Sequence, residues 1–215
     1  MYLRILMVLL SAVLSVETAW CATGAERINA YLDGVSSLSA NFTQTLYDED
    51  LNRLEDAQGK LYLQRPGRFR WDYSAPYIQA IVSNGSTLWL YDSELAQVTV
   101  KSLDTAVQNT PSLLLSTQQP LEDHFDISEA APKDGKVWVD LRPKSPEAAF
   151  ANIRLRFTRD ELDTMELVDS FGQLTHVEFS EVSKNPALAD DLFEFSPPPG
   201  VDVLQDVETS GATSE

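Results

Sequence analysis

LYLQRPGRFRWDY, residues 61–73, is the stretch whose reading decides the fold. Leu61 and Leu63 alternate with Lys60, Tyr62 and Gln64, the period of two expected of a half-buried strand. Arg65-Pro66-Gly67 then interrupts the pattern, because proline offers no backbone donor and glycine tolerates a positive φ. The alternation resumes with Phe69, Trp71 and Tyr73 on one face and Arg68, Arg70 and Asp72 on the other. Two strands joined by a short turn, each with one apolar face, predict an antiparallel sheet with one side on a core.

The same period extends outward. Upstream, Ala40, Phe42, Gln44 and Leu46 alternate with Asn41, Thr43, Thr45 and Tyr47, and a polar turn at 48–53 leads toward residue 60. Downstream, strands are predicted at 78–82 and 88–91, separated by Asn84-Gly85, a strong tight-hairpin signal, and at 97–101. Further strands are expected at 125–127, at 136–141 after Asp134-Gly135, and at 152–157, 165–168 and 174–179. Two helices are expected at the margins. Ile28, Tyr31, Leu32, Val35 and Leu38 recur at helical spacing, and Asn185-Pro186 opens a short segment through Leu192. A third, very apolar helix is expected where Thr110-Pro111 precedes Leu113, Leu114 and Leu115. The architecture is mainly β, and periodicity leaves a sandwich, a barrel and one strongly curved sheet all open.

The ends of the chain read differently. Arg4 followed by an apolar run at 5–14 and the small residues Ala19 and Ala22 has the three parts of a secretory signal peptide, removed after Cys21 or Ala22. The run is too short for a membrane span, which needs about 20 apolar residues. Residues 23–205 are then a single cysteine-free domain whose stability rests on its core, and residues 206–215 an acidic, disordered tail. The formal net charge of −17 argues against nucleic acid and anionic lipid as partners.

Catalytic constellations are missing. The two histidines, His124 and His176, lie in no zinc-ligand spacing, and no P-loop, nucleophile elbow or dinucleotide fingerprint occurs. The acidic run Asp48, Glu49, Asp50 lacks the glycine and closing glutamate of a calcium loop. A binding protein without enzyme activity, cofactor or metal is expected.

Residues 61–73, together with VSSLSANFTQ (35–44), IVSNGSTLWLYD (81–92), NTPSLLL (109–115) and FEFSPPPGVDV (193–203), resemble the outer-membrane lipoprotein carrier family, LolA. The resemblance spans the chain after its leader, in order. It implies an incomplete, strongly curved antiparallel β-barrel with a lid of short α-helices enclosing an apolar cavity. It also implies a monomeric periplasmic chaperone that takes acylated lipoproteins from the inner-membrane transporter LolCDE and passes them to the outer-membrane receptor LolB. On that resemblance Arg65 is the lid latch, bonding to helix carbonyls when the cavity is empty, and Phe69 stands at the cavity mouth. Leu32, Phe42, Leu46, Trp71, Leu113, Leu114 and Leu115 are the other candidates for acyl-chain contact, with ordinary core packing as the alternative for each. An envelope-stress sensor on a similar half-barrel and a carboxylate-based hydrolase are the competing classes. The first usually carries a further domain, and the second lacks its nucleophile and metal set.

Overall fold

The computed structural model describes residues 23–103, 120–146 and 148–205. Helix α1, Gly24–Asp33, starts at a capping box: the Thr23 hydroxyl accepts from the Glu26 amide at 3.2 Å, and the Glu26 carboxylate accepts from the Thr23 amide at 2.7 Å. Ile28, Tyr31 and Leu32 form its buried stripe. The helical spacing in the sequence runs to Leu38, but the helix stops at Asp33, with Gly34 as its cap. Val35 follows the cap and Leu38 belongs to the first strand. Both remain buried because turn and strand face the same core as the helix, which prolongs the apolar spacing past the helix end.

Twelve strands follow among the described residues: β1 Ser37–Tyr47, β2 Arg53–Gln64, β3 Arg68–Ala75, β4 Gln79–Asn84, β5 Thr87–Asp92, β6 Gln97–Ser102, β7 Phe125–Glu129, β8 Lys136–Pro143, β9 Phe150–Thr158, β10 Glu161–Asp169, β11 Leu174–Lys184 and β12 Asp202–Gln205. They form one sheet in the order β12-β6-β5-β4-β3-β2-β1-β11-β10-β9-β8-β7. Each pairing of these strands is antiparallel except that of β12 with β6. The predicted hairpins stand in place. Asn84 Oδ1 caps the β4–β5 turn by accepting from the Ser86 and Thr87 amides, and Asp134-Gly135 turns with both φ values positive, +52° and +71°.

Two departures from the sequence reading concern the polar stretches. β2 begins at Arg53, because its exposed first half pairs residue by residue with β1 although it shows no apolar alternation. The helix expected from Asn185-Pro186 is replaced by a single 3-10 turn at Asp190–Phe193. That turn lies on the outer face of the sheet, where Phe193 is fully buried, Arg68 sits over its ring at 5.7 Å and Arg68 Nη1 donates to Asp190 at 2.8 Å. The apolar helix expected around Leu113, Leu114 and Leu115, and the acidic tail, fall outside the described residues.

One large core gathers the inward residues of α1, β1–β3 and β8–β11, Phe42, Leu61, Trp71, Leu141, Phe157 and Met165 among them. A row of aromatics crosses it. Phe42 on β1 lies opposite Gly59 on β2 and Phe179 on β11, and its ring centroid is 5.0 Å from both Trp71 and Tyr73 on β3. Gly59 makes that reach possible: a Cβ there would lie 1.9 Å from the Asp72 carbonyl oxygen and 2.8 Å from Phe42 Cε1. The phenylalanine covers the backbone that glycine leaves bare.

Candidate functional site: an apolar pocket under helix α1

Alternation along β1, β2, β10 and β11 sends Leu38, Leu61, Leu63, Leu162, Phe179 and Val182 toward α1, which contributes Tyr31 and Leu32, with Val35 just beyond its cap. Between them remains a space of about 20 Å³, room for roughly one water molecule. Its wall is almost wholly apolar. A void of that size, beneath a ten-residue helix, holds nothing much larger than a water molecule as it stands.

Polar contacts fasten the helix at both ends. At its start, Arg27 Nε donates to Glu129 on β7 at 3.2 Å and its Nη1 to Asp160 in the β9–β10 turn. Asn29 Nδ2 donates to Glu122 at 2.7 Å. At its end, Arg65 in the β2–β3 turn donates through Nη1 to the carbonyl oxygen of Leu32, one of the last-turn carbonyls that a helix leaves without an internal partner. The Arg65 backbone amide donates to Ser36 at 2.9 Å, which sets the turn beside the helix cap. Burial lowers the guanidinium's pKa from its usual value, opposed by the nearby Asp33 carboxylate.

Asn185 completes the fastening. Its Oδ1 accepts from the Ser36 amide at 2.8 Å and the Ser36 hydroxyl at 3.0 Å, while its Nδ2 donates to the Gly34 carbonyl at 3.0 Å. Its φ of +55° aims the amide at the α1–β1 turn, a conformation asparagine tolerates better than most residues. The sequence alone makes Asn185 a helix start. The clue to its other role is that an asparagine before proline is equally a turn former.

The candidate residues separate in space. Leu32 lines the pocket, and Phe42 and Trp71 lie in the same core, Trp71 6.2 Å from the pocket's Phe179. Phe69 is fully buried in a second, smaller cluster with Leu88 and Leu103, at the Arg65 end of β3. Leu46 is half-buried near the far end of β1 and does not line the pocket. Leu113, Leu114 and Leu115 lie outside the described residues. Tyr31, which the sequence marks only as part of the helix's apolar stripe, also lines the pocket; its ring meets Phe157 edge-on at 5.5 Å and burial raises its hydroxyl pKa strongly. His176, in no metal-ligand spacing in the sequence, lies half-buried between Glu166 at 3.1 Å and Glu178 at 3.6 Å.

The sequence model described as outer membrane lipoprotein carrier protein LolA matches residues 33–196, from the end of α1 to just past the 3-10 turn on the outer face. The chain belongs to the LolA family. It is similar to the outer-membrane lipoprotein carrier protein of Methylococcus capsulatus, 46% identical over 184 residues that cover 86% of this chain and 88% of the relative. The carrier of Nitrosomonas europaea is 40% identical over 204 residues, 94% of this chain and 99% of the relative. Among solved structures, a conserved protein from Thermus thermophilus aligns with a TM-score of 0.51 at 14% identity, covering 84% of this chain and 98% of that one, a likeness of fold alone. LolA proteins are periplasmic carriers without enzyme activity. This chain, as one of them, shuttles lipoproteins to the outer membrane.

Proposed function

We propose that the pocket under α1 is the closed acyl-chain site of this carrier and that Arg65 is its latch. The observation that carries the reading is the Arg65–Leu32 bond, which ties the helix to the β2–β3 turn at a residue that lines an otherwise apolar space. Lipoprotein acyl chains enter when that bond breaks and α1 moves off the sheet, and Leu113, Leu114 and Leu115 are proposed as further contacts for them. Phe42, Trp71, Leu46 and Phe69 extend the wall as it opens. Each buried methylene contributes roughly 0.8 kcal/mol, so about ten supply ~8 kcal/mol, near micromolar affinity before ordering costs.

A strongly curved, incomplete barrel fits the same reading. In a flat sheet β7 and β2 would stand six spacings of about 4.8 Å apart, or ~29 Å. Arg27 and Leu32, however, are separated by only about 7.5 Å of helix rise, and they bond to Glu129 on β7 and to the turn after β2. Curvature of the sheet around α1 accounts for one short helix reaching both. An apolar site left open would be a liability for aggregation, which a closing lid removes.

Residues 1–22 serve in this scheme as the cleaved signal peptide, residues 23–205 as a single monomeric carrier unit, LolCDE as donor and LolB as acceptor. The test is release of cargo. The mature chain, added to spheroplasts that synthesise an acylated lipoprotein, is expected to bring that lipoprotein into solution as a one-to-one complex. Failure to do so where an established carrier succeeds would overturn the reading.

A further inference from the structure

The pocket wall contains a polar group that an apolar lining does not call for. Tyr31 is 8% exposed, and among the described residues its hydroxyl meets no hydrogen-bond partner. Trp71, 4% exposed and paired in register with the pocket residue Leu61, likewise buries its indole N–H without an acceptor among the described residues. Buried donors without acceptors are rare in folded proteins, because each forfeits its hydrogen bonds to water. Two of them, one in the wall of an apolar space and one beside it, need a common explanation.

Close packing alone does not supply it. A phenylalanine at 31 would keep the edge-on contact with Phe157 at 5.5 Å without the desolvation cost. The ring is also held by Lys184, whose Nζ lies 4.7 Å from the ring centroid, so the hydroxyl has a defined direction and not a loose one. Trp71 offers an N–H that can only donate and Tyr31 an O–H that can donate beside it, while the pocket lining holds no carboxylate or side-chain amide. A ligand that satisfies it is apolar over most of its length and carries carbonyl oxygens at one end.

We infer that the Tyr31 hydroxyl, with the Trp71 indole N–H, donates hydrogen bonds to the ester or amide carbonyl oxygens at the head of the bound acyl chains, so that the site distinguishes acyl from alkyl lipids. The inference rests on the proposal that acyl chains occupy this pocket. Hydrocarbon burial sets affinity, and the two donors set how deep the chains enter and where their carbonyls stop. With cargo bound, the cost of the unpartnered donors disappears, which favours the loaded state over the empty one.

The experiment compares two synthetic probes on the mature chain, a lipopeptide bearing a diacylglyceryl cysteine and its dialkyl ether counterpart, which has the same chains without the ester carbonyls. Binding is followed by tryptophan fluorescence and calorimetry. The wild type is expected to bind the ester probe about tenfold more tightly than the ether. Tyr31→Phe should reduce that preference to about twofold by weakening ester binding while leaving ether binding unchanged, and should raise the melting temperature of the empty protein. An ester-to-ether ratio that Tyr31→Phe leaves intact overturns the inference while sparing the pocket as the acyl site. A wild type that binds neither probe overturns the proposed function itself, and the inference with it.

Discussion

Removing the Arg65 guanidinium should loosen one end of α1 by an amount that the structure bounds. Its Nη1 bonds the Leu32 carbonyl, the oxygen that also accepts from the Val35 amide at 3.1 Å, while the Gly34 amide bonds Ala30 at 3.3 Å. A hydrogen bond from a charged donor contributes about 1.5–3 kcal/mol, and competition from water at this partly exposed site places this one near the lower end. At about 1.5 kcal/mol, Arg65→Leu shifts the closed–open balance of the helix roughly tenfold toward open. Native-state hydrogen exchange reads this directly. The amides of Gly34 and Val35 should exchange about tenfold faster in the variant, with Arg65→Lys between the two, while the core strands keep their protection. Cargo should be captured as well or better, because less of the binding energy goes into opening, and passed on more slowly, because closure no longer competes with the cargo. Exchange at Gly34 and Val35 that stays within about twofold of the wild type, at equal global stability, would reduce Arg65 to a turn residue.

Gly59→Val should destabilise the protein by at least about 2 kcal/mol in urea titration, because its Cβ would fall 1.9 Å from a backbone oxygen of β3, which cannot swing aside as a side chain can. An unchanged midpoint would mean that β2 and β3 do not approach as described. Asn185→Ala should speed exchange of the Ser36 amide and cost about 1–3 kcal/mol, and Asn185→Gly, which relieves the strained φ but restores no bonds, should recover only part of the loss. Burial raises the Asp163 carboxyl's pKa, but bonds from Thr158, Arg156 and Thr164 outweigh it and leave the pKa below the usual 3.8. A carboxyl with a depressed folded pKa stabilises above the unfolded value and loses that contribution as pH falls through the folded one. Melting temperature should therefore decline below about pH 4 in the wild type, and Asp163→Asn should flatten that acid limb.

The strands were legible wherever one face met the core and the other met water. Phe69, Trp71 and Tyr73 against Arg68, Arg70 and Asp72 could be read directly, as could Val137, Val139 and Leu141. The first half of β2 was not, since both its faces are largely exposed and only its bonds to β1 make it a strand. β12 was hidden for a similar reason: all four of its residues are exposed, and a parallel edge pairing leaves no mark on a sequence. In the pocket, alternation distinguishes inward from outward residues but not which inward residues border a void. The large aromatics drew the eye, whereas Val35, Leu38, Leu61 and Leu63 make much of the wall. The unpartnered Tyr31 hydroxyl could not be foreseen at all, because whether a phenol finds an acceptor depends on neighbours from distant parts of the chain, such as Phe157 and Lys184.

The strand order has a consequence for how the molecule is made. β1 to β6 form one run of neighbouring hairpins and β7 to β11 another, and among the described strands the two runs meet only where β1 zips against β11, pairing Leu38 with Lys184 and Tyr47 with Leu174. Within each run contacts are local and quick to form, but the joining seam waits on more than a hundred intervening residues. A chain that emerges N-terminus first thus holds β1 as an open strand edge, with Phe42 beside it, until nearly all the rest has been synthesised. A protein whose task is to keep the greasy ends of others out of water passes its own assembly with the same kind of surface uncovered, and slow joining of the two runs is the step at which a holding chaperone would act on it.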